Sequence, residues 1–224
     1  MAKFAPLNKA FILKARMKMK RIFTLIATAV MMTIATNSFA QMQVGAGFLH
    51  SGESISSNGT DLGDVGMNGA YAGVSYNLPI AGNFGIAPGL YYSLLMSNES
   101  TSIVGVNLGS KMREHYVNVP VYFNFGFNLG QSSKLFLFAG PTAQFGIASS
   151  SELSAAGISS GKFDRFKDGN LSRTNLLLGG GLGLNISKVQ ITLGYDQGLF
   201  NLDTADNGSK IIKSYAKAGI AYIF

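Results

Sequence analysis

The 224-residue sequence has no cysteine, and that absence alone excludes disulfide staples, thiolate zinc sites, a catalytic thiol and a lipid-bearing cysteine. Charge is scarce as well, at 13% of residues. Acidic residues are missing altogether from positions 1–40, which carry seven of the 18 basic residues: Lys3, Lys9, Lys14, Arg16, Lys18, Lys20 and Arg21. The rest of the chain balances eleven basic against eleven acidic residues, so the formal charge of +7 is not a nucleic-acid-binding surface and no nucleic-acid partner is expected. Histidine is limited to His50 and His115, which lack metal-ligand spacing, and no cofactor-binding pattern is present. Beyond residue 40 no apolar run approaches the ~18 residues that a membrane-spanning helix needs. Any crossing of a membrane must therefore use strands.

What is present begins with an address. The basic residues end at Arg21, and the apolar run 22–34 and the small-residue stretch Asn37-Ser38-Phe39-Ala40 follow. This is the pattern of a cleaved secretory signal peptide, with cleavage expected after Ala40 and the domain expected over 41–224. A membrane anchor is the competing reading. Thirteen residues of helix rise only about 20 Å, short of the ~30 Å hydrocarbon core. The basic region is long, and Met17 or Met19 would each begin a more ordinary signal.

From residue 41 onward the dominant signal is alternation. In Arg113 to Leu129 one parity holds His115, Val117, Val119, Val121, Phe123, Phe125, Phe127 and Leu129, and the other holds Glu114, Tyr116, Asn118, Pro120, Tyr122, Asn124 and Asn128. Successive strand residues face opposite sides, so this strand has an apolar face and a polar face. The pattern predicts eight strands near 42–50, 67–78, 84–96, 112–128, 134–148, 172–186, 189–198 and 211–224. Connections at 79–83, 129–133 and 187–188 are short, whereas those at 51–66, 97–111, 149–171 and 199–210 are long. The expected fold is all-β: an eight-stranded antiparallel up-and-down transmembrane barrel with four long outer loops and both termini on the periplasmic side. A soluble sandwich is the alternative, but it needs neither segments of ten or more residues nor a strict alternation of long and short connections.

Gly179, Gly180, Gly181 and Gly183 lie within an apolar strand, where they weaken it unless close packing requires them; a narrow barrel supplies that requirement. No helix pattern follows, which argues against a phosphate-binding loop. At this point several motifs become recognisable. Tyr116-Val117-Asn118-Val119-Pro120-Val121 resembles the fourth-strand motif of the PorT-like family of small outer-membrane β-barrels, a group with an OmpX- or OmpA-like fold. Phe138-Ala139-Gly140-Pro141, Gly179-Gly180-Gly181-Leu182-Gly183 and Tyr195-Asp196-Gln197-Gly198-Leu199-Phe200-Asn201-Leu202 resemble its fifth, sixth and seventh strands. The ending Gly219 to Phe224 is similar to the signal by which such barrels are recognised for assembly, which gives Ile220, Tyr222 and Phe224 that role by resemblance. The resemblance implies a Gram-negative outer-membrane location, contact with outer-membrane lipid and with the barrel-assembly machinery, and a possible accessory place in a protein-secretion assembly. It implies no catalytic activity. Asn118 stands where the family often has an acidic residue.

The polar parity carries Glu114, Arg173, Asp196, Lys213 and Lys217, with Gln144, Asn175 and Gln190. In a barrel this narrow they are expected to face the lumen and neutralise one another, as a polar plug or as the lining of a gated conduit. Counting back from the loop 199–210 sets Asp196 opposite Lys213 and makes Lys213 or Lys217 its partner. His50 beside Ser51 or Glu53, or His115, would suit a hydrolase or acyltransferase at the rim; an interfacial histidine, which needs no catalytic explanation, is the favoured reading. The loops are rich in Ser, Asn, Gly and Thr, and the Asn-x-Ser/Thr triplets at Asn58, Asn98, Asn170 and Asn207 follow from that composition. Residues 162–168, Lys-Phe-Asp-Arg-Phe-Lys-Asp, form the one mixed-charge aromatic stretch, readable as a contact patch or a solvated loop.

Overall fold

The computed structural model describes residues 41–103, 106–155, 158–168, 171–205 and 208–224; the expected signal peptide, residues 1–40, lies outside them. Among the described residues nine strands follow in order: β1 (Gln41–Ser57), β2 (Thr60–Ala81), β3 (Phe84–Ile103), β4 (Val106–Asn128), β5 (Ser133–Ala155), β6 (Ile158–Phe163), β7 (Thr174–Ile186), β8 (Val189–Gly198) and β9 (Ser209–Ile223). All the pairings are antiparallel and join strands consecutive in the chain, except that β7 pairs with β5 and not β6, and that β9 pairs back to β1. Eight of them form a ring, because β1 pairs with both β2 and β9 while β4 pairs with both β3 and β5. That closure removes the sheet edges and excludes the sandwich. The ninth strand, β6, pairs with the upper end of β5 alone.

The alternation read from the sequence places side chains as an up-and-down membrane barrel requires. Phe48, Leu90, Phe123, Leu137, Leu182, Leu193 and Ile220 are exposed on the outer wall, Phe123 and Ile220 each at 58%. Val117, Val119, Val121 and Phe125 share the outward parity of Phe123 on β4, while Tyr116, Asn118 and Tyr122 on the other parity bond to lumen partners. Outward apolar residues from Val117 to Phe127 cover about 26 Å of height at a tilt near 40°, which matches the ~25 Å apolar band of such barrels.

The lower connections are short, at residues 82–83, 129–132 and 187–188. At the upper end the expectation of four long loops is corrected. β1 and β2 continue as a ladder to Ser57↔Thr60 and turn through Asn58 and Gly59 alone, both at positive φ (50° and 83°). Two left-handed residues in succession match the twist of a two-residue hairpin. β3 and β4 likewise stay paired to Ile103↔Val106, and β5 runs to Ala155. Among the described residues, irregular chain remains in two upper segments, after β6 and after β8. These meet each other: Leu171 bridges to Asp203, and Ser172 N–H donates to Leu202 O at 2.7 Å.

Gly179, Gly181 and Gly183 of β7 face inward and make room for larger side chains, whereas Gly180 lies on the outer face between Leu178 and Leu182. A Cβ at Gly183 would overlap the ring of Phe136, and one at Gly179 would overlap the carboxylate of Asp196. The barrel is thus narrow enough that some inward positions accept only hydrogen.

Candidate functional site

The lumen is filled in layers. Near the periplasmic end, Asn124 donates to Asn77 at 3.2 Å and Gln190 to Asn185 at 3.1 Å. Higher up, Ser75 donates to Gln43 and accepts from Tyr91. Lys217 from β9 donates to Asp196 of β8 at 2.5 Å and to the Tyr122 hydroxyl of β4 at 2.8 Å. Tyr122 also reaches Asp196, so three strands meet on one neutral ion pair. Tyr122, Asp196 and Lys217 border a cavity of about 130 Å³ whose walls also include Tyr71 and Tyr91. Its upper wall includes Gln144, which donates to Asn118 and accepts from Tyr215, both at 2.9 Å.

Above this lies the most heavily charged layer. Lys213 is fully buried and contacts Glu114 and, at 3.0 Å, Glu53; Tyr116 accepts from it at 3.1 Å and donates to Glu114 at 2.7 Å. Arg165 descends from the segment after β6 and binds the same two carboxylates, Glu53 at 2.6 Å and Glu114 at 2.7 Å. Two cations and two anions thus cross the lumen as a neutral cluster, with the two carboxylates 1% and 0% exposed. Burial disfavours the charge on Arg165, but the hydrogen bond and charge of Glu53 and the charge of Glu114 outweigh it and raise its pKa.

The segment holding Arg165 is locally built. Asp164 Oδ1 accepts from Phe166 N–H at 2.8 Å, while its backbone carbonyl accepts from Lys167 and Asp168 N–H. This single turn aims Arg165 and Phe166 inward. Phe166 packs edge-on against Tyr116 and lies over Gly146, where a side chain would collide with its ring. Leu49, Met67, Leu95, Leu171, Leu177 and Leu202 complete the apolar cluster around them. Stretch 162–168 is therefore not wholly a solvated loop: Lys162, Lys167 and Asp168 are exposed, whereas Arg165 and Phe166 seal the lumen.

The sequence-selected residues divide. Glu114 and Lys213 meet in the upper cluster, and Asp196 and Lys217 meet below it. Arg173 joins neither: it sits partly exposed near Asp164 at 3.8 Å, donates to the carbonyls of Gly146 and Ile147, and stacks over Phe166. Asp196 is opposite Tyr215, not Lys213, a two-residue correction to the expected register. Glu53 and Arg165 were not singled out as lumen groups. Parity with Leu49 and Ser51 could have located Glu53, but only for a β1 that continued past His50. No periodicity marks Arg165, which lies outside any strand.

The two histidines face away from this cluster. His50 bonds to Asn68 at 2.8 Å and His115 to Tyr92 at 2.5 Å, all on the outer wall, whereas Ser51 and Glu53 point into the lumen. The His50–Ser51 or His50–Glu53 pairing that a rim hydrolase would need is thus not formed. Ile220, Tyr222 and Phe224 share the outer wall of β9 and its end, with Tyr222 and Phe224 in edge-on contact. Among the described residues, no three His, Asp or Glu side chains gather as a metal site.

Several solved structures resemble the chain at low identity. Ail of Yersinia pestis, solved with the heparin analogue sucrose octasulfate, is 14% identical, with 82% of this chain and 99% of that one covered and a TM-score of 0.44. Neisserial surface protein A is 15% identical over 83% and 99%, with a TM-score of 0.45. The outer membrane enzyme PagL is 14% identical over 78% and 98%, with a TM-score of 0.42. No curated protein sequence matches the chain. The family model described as outer membrane protein beta-barrel domain matches residues 35–204. With a closed eight-strand ring, an apolar outer wall and that match, the chain belongs to the outer membrane protein β-barrel family and resides in the outer membrane.

Proposed function

We propose that the protein is a non-conducting, non-enzymatic outer-membrane module, structural or surface-binding, whose work is done at the outer rim and not through the lumen. The observation that carries this reading is the neutral cluster of Glu53, Glu114, Lys213 and Arg165, buried across the barrel. An ion moving along the axis would have to part paired charges in a partly dry interior, which costs several kcal/mol per group. His50 bonds to the Asn68 amide and His115 to the Tyr92 phenol, both on the outer wall and apart from the lumen-facing Ser51 and Glu53, which speaks against the His–Ser or His–Glu arrangement of a rim hydrolase.

Conductance across planar lipid bilayers tests the closed lumen. The expected record is flat for the full chain; stable unitary currents at moderate voltage would overturn the reading. A second reading, an accessory part of an envelope secretion assembly, rests on the resemblance of Tyr116–Val121 and Tyr195–Leu202 to PorT-like barrels. Crosslinking in intact membranes decides it: a stable membrane protein partner supports the assembly, and its absence removes it.

A further inference from the structure

The outer wall of β4 changes character just above its apolar band. Outward residues Val117 to Phe127 are apolar, and the next three outward positions going up are His115, Arg113 and Lys111. Their direction is fixed by their neighbours, because Met112 and Glu114 point inward to the Arg165 cluster. Lys111 and Arg113 are exposed. At two residues per step on a tilted strand, the column climbs only ~5 Å per side chain, so it occupies the level where outer-leaflet headgroups lie.

The column has both parts of a lipid-binding surface. Beside it the wall stays apolar: Met96 of β3 is opposite Arg113 and is 41% exposed, and Phe145 and Ile147 of β5 are 38% and 51% exposed. Around it the charge balance is positive. Lys111 is opposite Glu152, which is in turn opposite Lys162 on β6, so with Arg113 the patch has three cations and one carboxylate. His115, held by Tyr92, adds a hydrogen-bonding ring at the lower edge. A guanidinium and an ammonium spaced along one strand match a phosphate group, which accepts charge-assisted hydrogen bonds from both.

We propose that Lys111, Arg113 and His115 hold the phosphate-bearing headgroup of an outer-leaflet lipid, with its acyl chains against Met96, Phe145 and Ile147. The proposal depends on the outer-membrane placement and not on the closed lumen, so conductance measurements leave it untouched.

The test uses the full folded chain in dodecyl maltoside micelles titrated with bisphosphorylated lipid A, with retained lipid read by native mass spectrometry. Lipid should be retained by the parent, and Lys111→Ala with Arg113→Ala should weaken retention about tenfold. Lys188→Ala, which removes a lysine at the opposite end of the barrel, should leave it unchanged, and dephosphorylated lipid A should bind as weakly as the double variant does. Folding of each variant is checked by heat-dependent gel migration. If the double variant does not fold, the single change Arg113→Gln should still weaken retention about threefold. Parent-like retention by these variants, or equal retention of dephosphorylated lipid, would overturn the proposal.

Discussion

Asp196 and Gly179 face each other across β7 and β8, and the space that a Cβ on Gly179 would fill is occupied by the Asp196 carboxylate. The carboxylate can reach Lys217 at 2.5 Å because its neighbour on the next strand has no side chain. Gly179→Ala should therefore displace Asp196 and destabilise the barrel by about 1–3 kcal/mol. The urea midpoint for folding into lipid vesicles measures this, and an unchanged midpoint would remove the close-packing argument.

The lower ion pair makes a second prediction specific. Asp196→Ala should cost about 1–3 kcal/mol by stranding Lys217, and adding Lys217→Ala should recover part of that loss. Adding Lys213→Ala instead should give losses that simply sum, because Lys213 is engaged by Glu53 and Glu114. Coupling of Asp196 to Lys213 in a double-mutant cycle would contradict the observed register.

The upper cluster should respond more strongly. Lys213→Met leaves two buried carboxylates sharing Arg165 alone, at a cost of about 3–5 kcal/mol, and Glu114→Gln in the same chain should restore a good part of it. Arg165→Ala should loosen the turn it anchors, with faster trypsin cleavage after Lys162 or Lys167 in the folded protein. Equal cleavage rates in parent and variant would show that the turn does not depend on Arg165.

On the outer wall, Val121→Arg places a charge near the bilayer midplane and should cost roughly 2–4 kcal/mol. Loss of the parent's resistance to heat unfolding on gels reports it. Deleting Phe224 should reduce folded protein in the outer membrane if the chain end serves assembly as the resemblance implies; equal amounts would dismiss that role.

How much of this was legible in the sequence follows from where water and lipid lie. Within the membrane, lipid on one side and lumen on the other impose alternation, so the apolar faces of β4 and β9 could be read directly. Above the membrane both faces meet polar surroundings, and the contrast fades. Ser54 to Ser57 in β1 therefore looked like loop although the ladder continues to Ser57. The Asp196 register missed by two residues because β9 begins before its ladder with β8: Asn201 bonds to Ser209 O and Ile211 N–H, and Leu202 N–H bonds to Ile211 O, so the first residues of β9 are held by the β8–β9 connection and not by β8. Arg165 was hidden for a different reason: its place is set by tertiary partners 51 and 112 residues away, which no local pattern encodes.

The continuation of the strands past the bilayer gives the exposed part of the molecule a fixed reach. β2, β4 and β5 have 22 or 23 residues, and the membrane uses about ten of each, so the remainder carries these strands roughly 25 Å above the apolar band, past the headgroup level, at ~2.6 Å of height per residue. β7 and β8, with 13 and 10 residues, stop much lower. The rim is thus a stiff crescent, tall on one flank and cut down on the other. Floppy loops would sweep a volume and lose entropy whenever something docked. A hydrogen-bonded parapet holds its crest at one height and one orientation, so docking on it would cost less entropy than docking on such loops.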